Sequence, residues 1–129
     1  MRLTDGSRAA RMTLWIDLTA LTAFVIVGVA SHGEAGMPAA YLRNAGPVLL
    51  AWLTVSMIAG TYRLPTIRTG LLTWIVAVPI GVVARSILLG RFGDRDQLVF
   101  TAVAMAFTLL FLSVGRVIAV VLTRRSAAP

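Results

Sequence analysis

Hydrophobic residues occur in this chain as four long blocks separated by short polar segments. The blocks are residues 13–30, 45–62, 69–89 and 98–123. About 20 apolar residues in a helix cross a hydrocarbon core of about 30 Å, so each block is long enough to span a bilayer. The alternation typical of membrane β-strands is absent. The pattern predicts an all-α integral membrane four-helix bundle that forms a single membrane domain over residues 1–129.

The placement of arginine predicts the orientation of these spans. All 12 basic residues are Arg, and most lie where the apolar blocks end. One side of the predicted bundle holds Arg2, Arg8, Arg11, Arg63, Arg68, Arg124 and Arg125. The other side holds Arg43, Arg91 and Arg95, offset by Glu34, Asp94 and Asp96. Because basic residues are retained on the cytoplasmic side, we expect both termini in the cytoplasm and the chain in the inner (plasma) membrane.

The first block allows a second interpretation, as a cleavable signal peptide. Basic residues precede it and it ends in the small residues Gly28-Val29-Ala30, which loosely fits a cleavage site. Asp17 inside the apolar run and the need for an even number of spans favour a helix that is retained.

Composition excludes several classes of protein. The chain is 58% hydrophobic and 13% charged, which leaves too little polar surface for a soluble enzyme or a disordered segment. Its net charge of +7 follows the block ends and forms no basic stripe, so we expect no nucleic-acid binding. Without Cys there are no disulfides, thiolate metal sites or thiol nucleophiles. No catalytic motif occurs, so we expect no enzyme activity, no metal and no cofactor.

Charged residues inside the blocks are the first candidates for function, because an ionisable group in a bilayer costs roughly 2.5–3.5 kcal/mol on insertion scales. At 1.5 Å per residue, Asp17 and Arg116 lie about 6 Å and about 10 Å inside the predicted cytoplasmic edge. These similar depths predict a buried Asp17–Arg116 pair between the first and fourth helices. The alternative is that Asp17 binds a proton or a cation.

A second polar group is expected at the opposite side of the membrane. Arg85 lies near the end of the third block, and His32 and Glu34 follow the first block. A long Arg side chain reaches outward to Glu34 or to a lipid phosphate. Alternatively, Arg85 and His32 bind an anionic head group or solute at the outer mouth of the bundle.

The third block has an unusual backbone. Pro79 removes the hydrogen bond to the carbonyl of Ile75, and Gly81 follows two residues later. Trp74, Gly81 and Arg85 fall on one face of this helix. We predict either a helix break whose face lines a cavity or ordinary close packing.

Small residues predict where helices approach each other. Gly28 lies in the first block, Ser56 and Gly60 are four residues apart in the second, and Gly115 and Ala119 are four apart in the fourth. Such small residues permit close packing between membrane helices.

A set of dispersed residues also matches a known family. The set comprises Asp17, Gly28, Ser31-His32, Pro47, Trp52, Trp74, Pro79-Ile80-Gly81, Arg85, Phe100 and Gly115-Arg116. With these residues, the chain resembles, over about residues 14–122, the small four-helix membrane proteins of bacteria and archaea catalogued as domain of unknown function 3054. The family pattern has a basic pair before Ser-His, where this chain has Val29-Ala30. Because that family has no established activity, the resemblance implies the fold and the membrane location and no mechanism.

Two functions of different kinds fit these observations. The first is a small homodimeric permease or channel for a solute or an anion, with Asp17, Arg85 and Arg116 as its intramembrane charges. The second is a non-catalytic accessory subunit, lipid-binding protein or scaffold, which predicts paired charges in a dry bundle. A haem-binding redox protein ranks third, because His32 is the only histidine and bis-His ligation needs two.

Overall fold

The computed structural model describes residues 2–63 and 66–126, with side chains from Ser7 onward. The side chain of Arg2, which contributes to the predicted orientation, lies outside the described part. The described residues form four helices, each long and apolar enough to cross a membrane. They are α1 (Arg2–Ser31), α2 (Pro38–Ala59), α3 (Ile67–Leu88) and α4 (Gln97–Ser126). The predicted four-helix, all-α architecture is therefore confirmed.

The second helix is displaced along the chain from the predicted block 45–62. It begins at Pro38, whose fixed φ suits the first turn and whose missing N–H costs nothing there. It ends before Gly60, which adopts a left-handed φ of 67° that a glycine tolerates at a helix end. Hydropathy missed both ends, because it does not register a capping turn. As a result Asn44 lies on a helix, and Tyr62 lies in the turn after one.

The four helices form a ring in which each contacts its two neighbours in the chain order, and α4 closes against α1. The short connections make neighbouring helices antiparallel. The beginning of α1, the end of α4 and the α2–α3 turn therefore lie at one end of the bundle, which we call the terminal end. The α1–α2 and α3–α4 loops lie at the other end, the loop end. Large apolar side chains on the outward faces are exposed along all four helices, as expected for helices surrounded by lipid.

Two glycines bring helices close together. A Cβ on Gly81 would lie 2.9 Å from the Cα of Val48, so α3 meets the backbone of α2 there. A Cβ on Gly115 would lie 3.2 Å from the Cγ2 of Ile16 on α1. The prediction of close approach is thus confirmed at Gly115. It is wrong at Gly28 and Gly60, where a Cβ would meet nothing within 4 Å: Gly28 borders open space, and Gly60 is a helix cap.

Candidate functional site

The terminal half of the bundle is organised around a fully buried carboxylate. Asp17 on α1 has no exposed surface and accepts two hydrogen bonds from Arg116 on α4. The Nε–Oδ1 distance is 3.0 Å and the Nη2–Oδ2 distance is 2.7 Å. This two-point geometry matches a planar guanidinium to a carboxylate. The structure therefore pairs the two residues whose depths predicted an ion pair.

Two aromatic residues of α2 and the following turn extend this pair. The hydroxyl of Tyr62 donates to Oδ2 of Asp17 at 2.9 Å, and the indole Nε1 of Trp52 donates to the Tyr62 hydroxyl at 2.7 Å. Burial, and then the negative charge of Asp17, raise the pKa of Tyr62 above its usual value of 10. Tyr62 is therefore a neutral donor. The chain Trp52–Tyr62–Asp17–Arg116 is called the polar network below.

Small and hydroxylated residues of α3 and the preceding turn make room for the polar network. A Cβ on Gly70 would lie 2.6 Å from Nη1 of Arg116, so the guanidinium occupies the space left by this glycine. Thr61 and Thr73 are fully buried and hydrogen-bonded to each other. Their hydroxyl groups thus have partners within the protein, as buried polar groups require.

An apolar layer separates the polar network from the loop half of the bundle. Leu21, Trp52 and Leu112 are buried in one hydrophobic cluster, and Trp74 packs against it. Leu21 and Leu112 lie one helical turn from Asp17 and Arg116, respectively, toward the loop end. Trp74 is fixed by hydrogen bonds from its Nε1 to Met105 O and Thr108 Oγ1, each 3.2 Å. These apolar side chains therefore lie between the buried Asp17 and the loop end.

The loop half of the bundle contains a cavity of about 520 Å³ lined by residues from all four helices. Aromatic and aliphatic side chains form its inner walls: Phe24, Val25, Val48, Val78, Val82, Ala104, Phe107 and Phe111. Charged and polar side chains surround its mouth: His32, Glu34, Asn44, Arg85, Arg91, Asp94, Asp96 and Gln97. The cavity therefore has an apolar interior and a polar opening.

Arg85 lies at the boundary between these two parts. Its Nε donates a hydrogen bond to Oδ1 of Asn44, and its guanidinium carbon lies 4.5 Å from the ring centroid of Phe100. These contacts hold the side chain from two helices. The predicted outward contact with Glu34 is not made: among the described residues, the ion pair between Arg116 and Asp17 is the only one. Asn44 was missed because the sequence pattern placed it in a loop.

Gln97 at the start of α4 is the second notable residue of the mouth. Its Nε2 is buried and has no hydrogen-bond partner among the described residues. Native proteins rarely leave a buried donor unpaired, since an unpaired polar group costs about 1–3 kcal/mol. Gln97 is also one of the residues that line the cavity, so a rotation of its side chain would turn this donor toward a bound molecule.

Of the two interpretations of the third helix, close packing fits Trp74 and Gly81, and a cavity lining does not. His32, Glu34 and Arg85 line the cavity, whereas Trp74 and Gly81 do not. Gly81 is turned toward the α2 backbone and Trp74 toward α4. The helix also continues unbroken through Pro79, which lies beside a shallow depression on the outside of the helix. The lining residues of α3 are instead Val78, Val82, Arg85 and Ser86.

Among the side chains of residues 7–63 and 66–126, no group of three or more from His, Asp and Glu is placed to hold a metal ion. A family model described as "Protein of unknown function (DUF3054)" matches residues 14–119, which include the polar network and the cavity. No curated protein and no solved structure matches the chain.

Proposed function

The chain belongs to the family described as Protein of unknown function (DUF3054), and we propose that it is a membrane protein that binds an amphiphilic molecule in the cavity of its loop half. The proposed activity is binding in the cavity, without catalysis. If both termini are cytoplasmic, as the arginine placement predicts, the cavity opens to the outside of the inner membrane.

The cavity itself is the observation that carries this proposal. Its volume of about 520 Å³ lies within the range of roughly 300–1,000 Å³ typical of small-molecule sites. Packed membrane helices ordinarily fill the space between them with side chains. Here Gly28 leaves open space on α1, and the inner walls are apolar. An apolar chain in the cavity would gain the dispersion contacts that an empty interior lacks.

Filling the cavity tests the proposal. A single-chain fatty acid carrying a photoreactive diazirine is incorporated with the protein into bilayers, and the cross-linked residues are mapped by mass spectrometry. We expect labels on Phe24 and Phe111, which line the cavity and are at least partly buried. Gly28→Leu places a side chain in the open space beside α1 and should reduce this labelling by about tenfold.

Gly46→Leu is the matched control for this substitution. Gly46 is also a helical glycine with nothing within 4 Å of its absent Cβ, but it does not line the cavity. We expect the control to label like the parent protein. Labels confined to outward-facing side chains, or equal interior labelling of both variants, would contradict the proposal.

Transport is the second candidate, with the protein acting as a homodimeric permease for a small solute or anion. The observation that favours it is that the cavity lies in one half of the bundle and the intramembrane charge pair lies in the other half. Passage would require the Asp17–Arg116 pair to separate. This predicts a substrate-dependent proton flux in proteoliposomes that Asp17→Asn abolishes while interior labelling persists. Interior labelling in the parent protein without any flux would leave binding as the function.

A further inference from the structure

We infer that the mouth of the cavity recognises a zwitterionic phospholipid head group, with the phosphate at Arg85 and Gln97 and the ammonium facing Glu34, Asp94 and Asp96. This inference rests on the proposed function, since it assumes that the acyl chain occupies the apolar interior. It adds the chemistry of the head group, which the cavity walls do not specify.

Two donors at the mouth are suited to a phosphate. Arg85 uses Nε to bind Asn44, and no hydrogen bond joins its Nη1 or Nη2 to another described residue. A guanidinium with free terminal nitrogens binds phosphate oxygens through short charge-assisted hydrogen bonds. The unpaired Nε2 of Gln97 belongs to another residue that lines the same cavity, and a side-chain rotation would bring it to the phosphate. Both groups therefore have hydrogen-bond donors that no described residue uses.

The surrounding charges argue against a purely anionic head group. Besides Arg85, the mouth contains one further arginine, Arg91, and the single histidine, His32. Three carboxylates line the same opening: Glu34, Asp94 and Asp96. These three carboxylates outnumber the two guanidiniums of Arg85 and Arg91. A head group with only negative charge would meet like charges, which oppose binding. A head group that also carries an ammonium would place this positive charge beside the carboxylates.

The order of these groups matches the order of groups in a phospholipid. Deepest are the aromatic side chains Phe24, Phe107 and Phe111. Arg85 follows, about one turn inside the end of α3, and Glu34, Asp94 and Asp96 lie in the loops beyond the helix ends. A phosphoethanolamine lipid places its chain, phosphate and ammonium in that same sequence. The arrangement therefore fits such a lipid entering chain first from the loop end.

Titration with two single-chain lipids tests the inference. The protein in a neutral maltoside detergent is titrated with lysophosphatidylethanolamine or lysophosphatidylglycerol of the same chain length, and bound lipid is counted by native mass spectrometry. We expect the ethanolamine lipid to bind about tenfold more tightly, which corresponds to about 1.4 kcal/mol. Glycerophosphoethanolamine, which lacks the chain, should not bind.

Substitutions at the mouth separate the two halves of the head group. The combined change Glu34→Gln, Asp94→Asn and Asp96→Asn should remove or reverse the preference for ethanolamine. Arg85→Gln should weaken both lipids about tenfold, and Gln97→Leu should weaken both by a smaller factor. Arg43→Gln is the matched control, because Arg43 is an exposed arginine near the loop end that does not line the cavity.

The possible results distinguish this inference from the function on which it rests. Equal binding of the two lipids, or a preference for glycerol that the acidic substitutions leave unchanged, overturns the head-group assignment while interior binding stands. Binding of the chain-free head group overturns the assumed chain-first entry. Absence of interior labelling by the photoreactive fatty acid, together with no lysolipid binding, overturns the proposed function itself.

Discussion

Removing either partner of the Asp17–Arg116 pair should lower the free energy of unfolding by unequal amounts. Arg116→Gln leaves a carboxylate with no exposed surface and with Tyr62 as its one strong remaining donor. Breaking a buried ion pair in this way costs about 3–5 kcal/mol. Asp17→Asn removes the charge but retains an acceptor for Tyr62, and the Arg116 side chain is already 26% exposed. Asp17→Asn should therefore lower the free energy of unfolding by the contribution of the lost charge-assisted hydrogen bonds, about 1.5–3 kcal/mol.

Reversible unfolding in lipid–detergent micelles, followed by tryptophan fluorescence, measures these losses. Trp52 belongs to the polar network, so its emission reports on the region that changes. The double variant Asp17→Asn/Arg116→Gln should lose less than the sum of the single variants, because each single change already breaks the pair. Arg124→Gln removes the same charge from an exposed position on α4 and should shift stability by less than about 0.5 kcal/mol. Equal losses in Arg116→Gln and this control would refute the assignment of the pair as a structural support.

Three further predictions follow from the same contacts. Tyr62→Phe should cost about 1–3 kcal/mol, because it leaves the buried indole N–H of Trp52 without an acceptor; Tyr41→Phe serves as the control in the same unfolding assay. The pKa of Tyr62 is raised in the folded state, so the contribution of Tyr62 to the free energy of unfolding is fully present below pH 10 and is lost as the pH rises further. The free energy of unfolding should therefore fall less across alkaline pH in Tyr62→Phe than in the parent protein. Gly81→Ala should lower the free energy of unfolding by about 1–3 kcal/mol, because the added Cβ would meet the Val48 backbone. Gly28→Ala is the control and should not destabilise the protein. Equal effects of the two substitutions on the free energy of unfolding would contradict the packing described for α3.

The sequence predicts the number of helices and the buried ion pair because both depend on local quantities. Hydropathy over about 20 residues identifies each helix, and depth within a block places Asp17 beside Arg116. Helix ends are less predictable, since they depend on caps such as Gly60 and Pro38. Those ends decide where Tyr62 and Asn44 lie, so the partners of Asp17 and Arg85 were missed.

The cavity could not be predicted from one helix at a time. It depends on how four helices pack, and helical periodicity alone does not say which neighbour a face meets. Gly81 shows the difficulty: its missing side chain indicated a space, and the backbone of α2 fills that space. A close approach to another helix and a cavity lining have the same signature in sequence, and only the position of the neighbouring helix distinguishes them.

The central claim, an accessible cavity in the loop half and a tightly packed terminal half around Asp17, is tested most directly by two isosteric cysteine substitutions. The chain has no Cys, and Ser56 and Ser86 are both buried on neighbouring helices. Ser86 lines the cavity and Ser56 does not. We expect a small, membrane-impermeant thiol reagent to modify Ser86→Cys from the loop end only, and to leave Ser56→Cys unmodified until the protein is unfolded. Rapid modification of folded Ser56→Cys, or no modification of Ser86→Cys, would contradict this account.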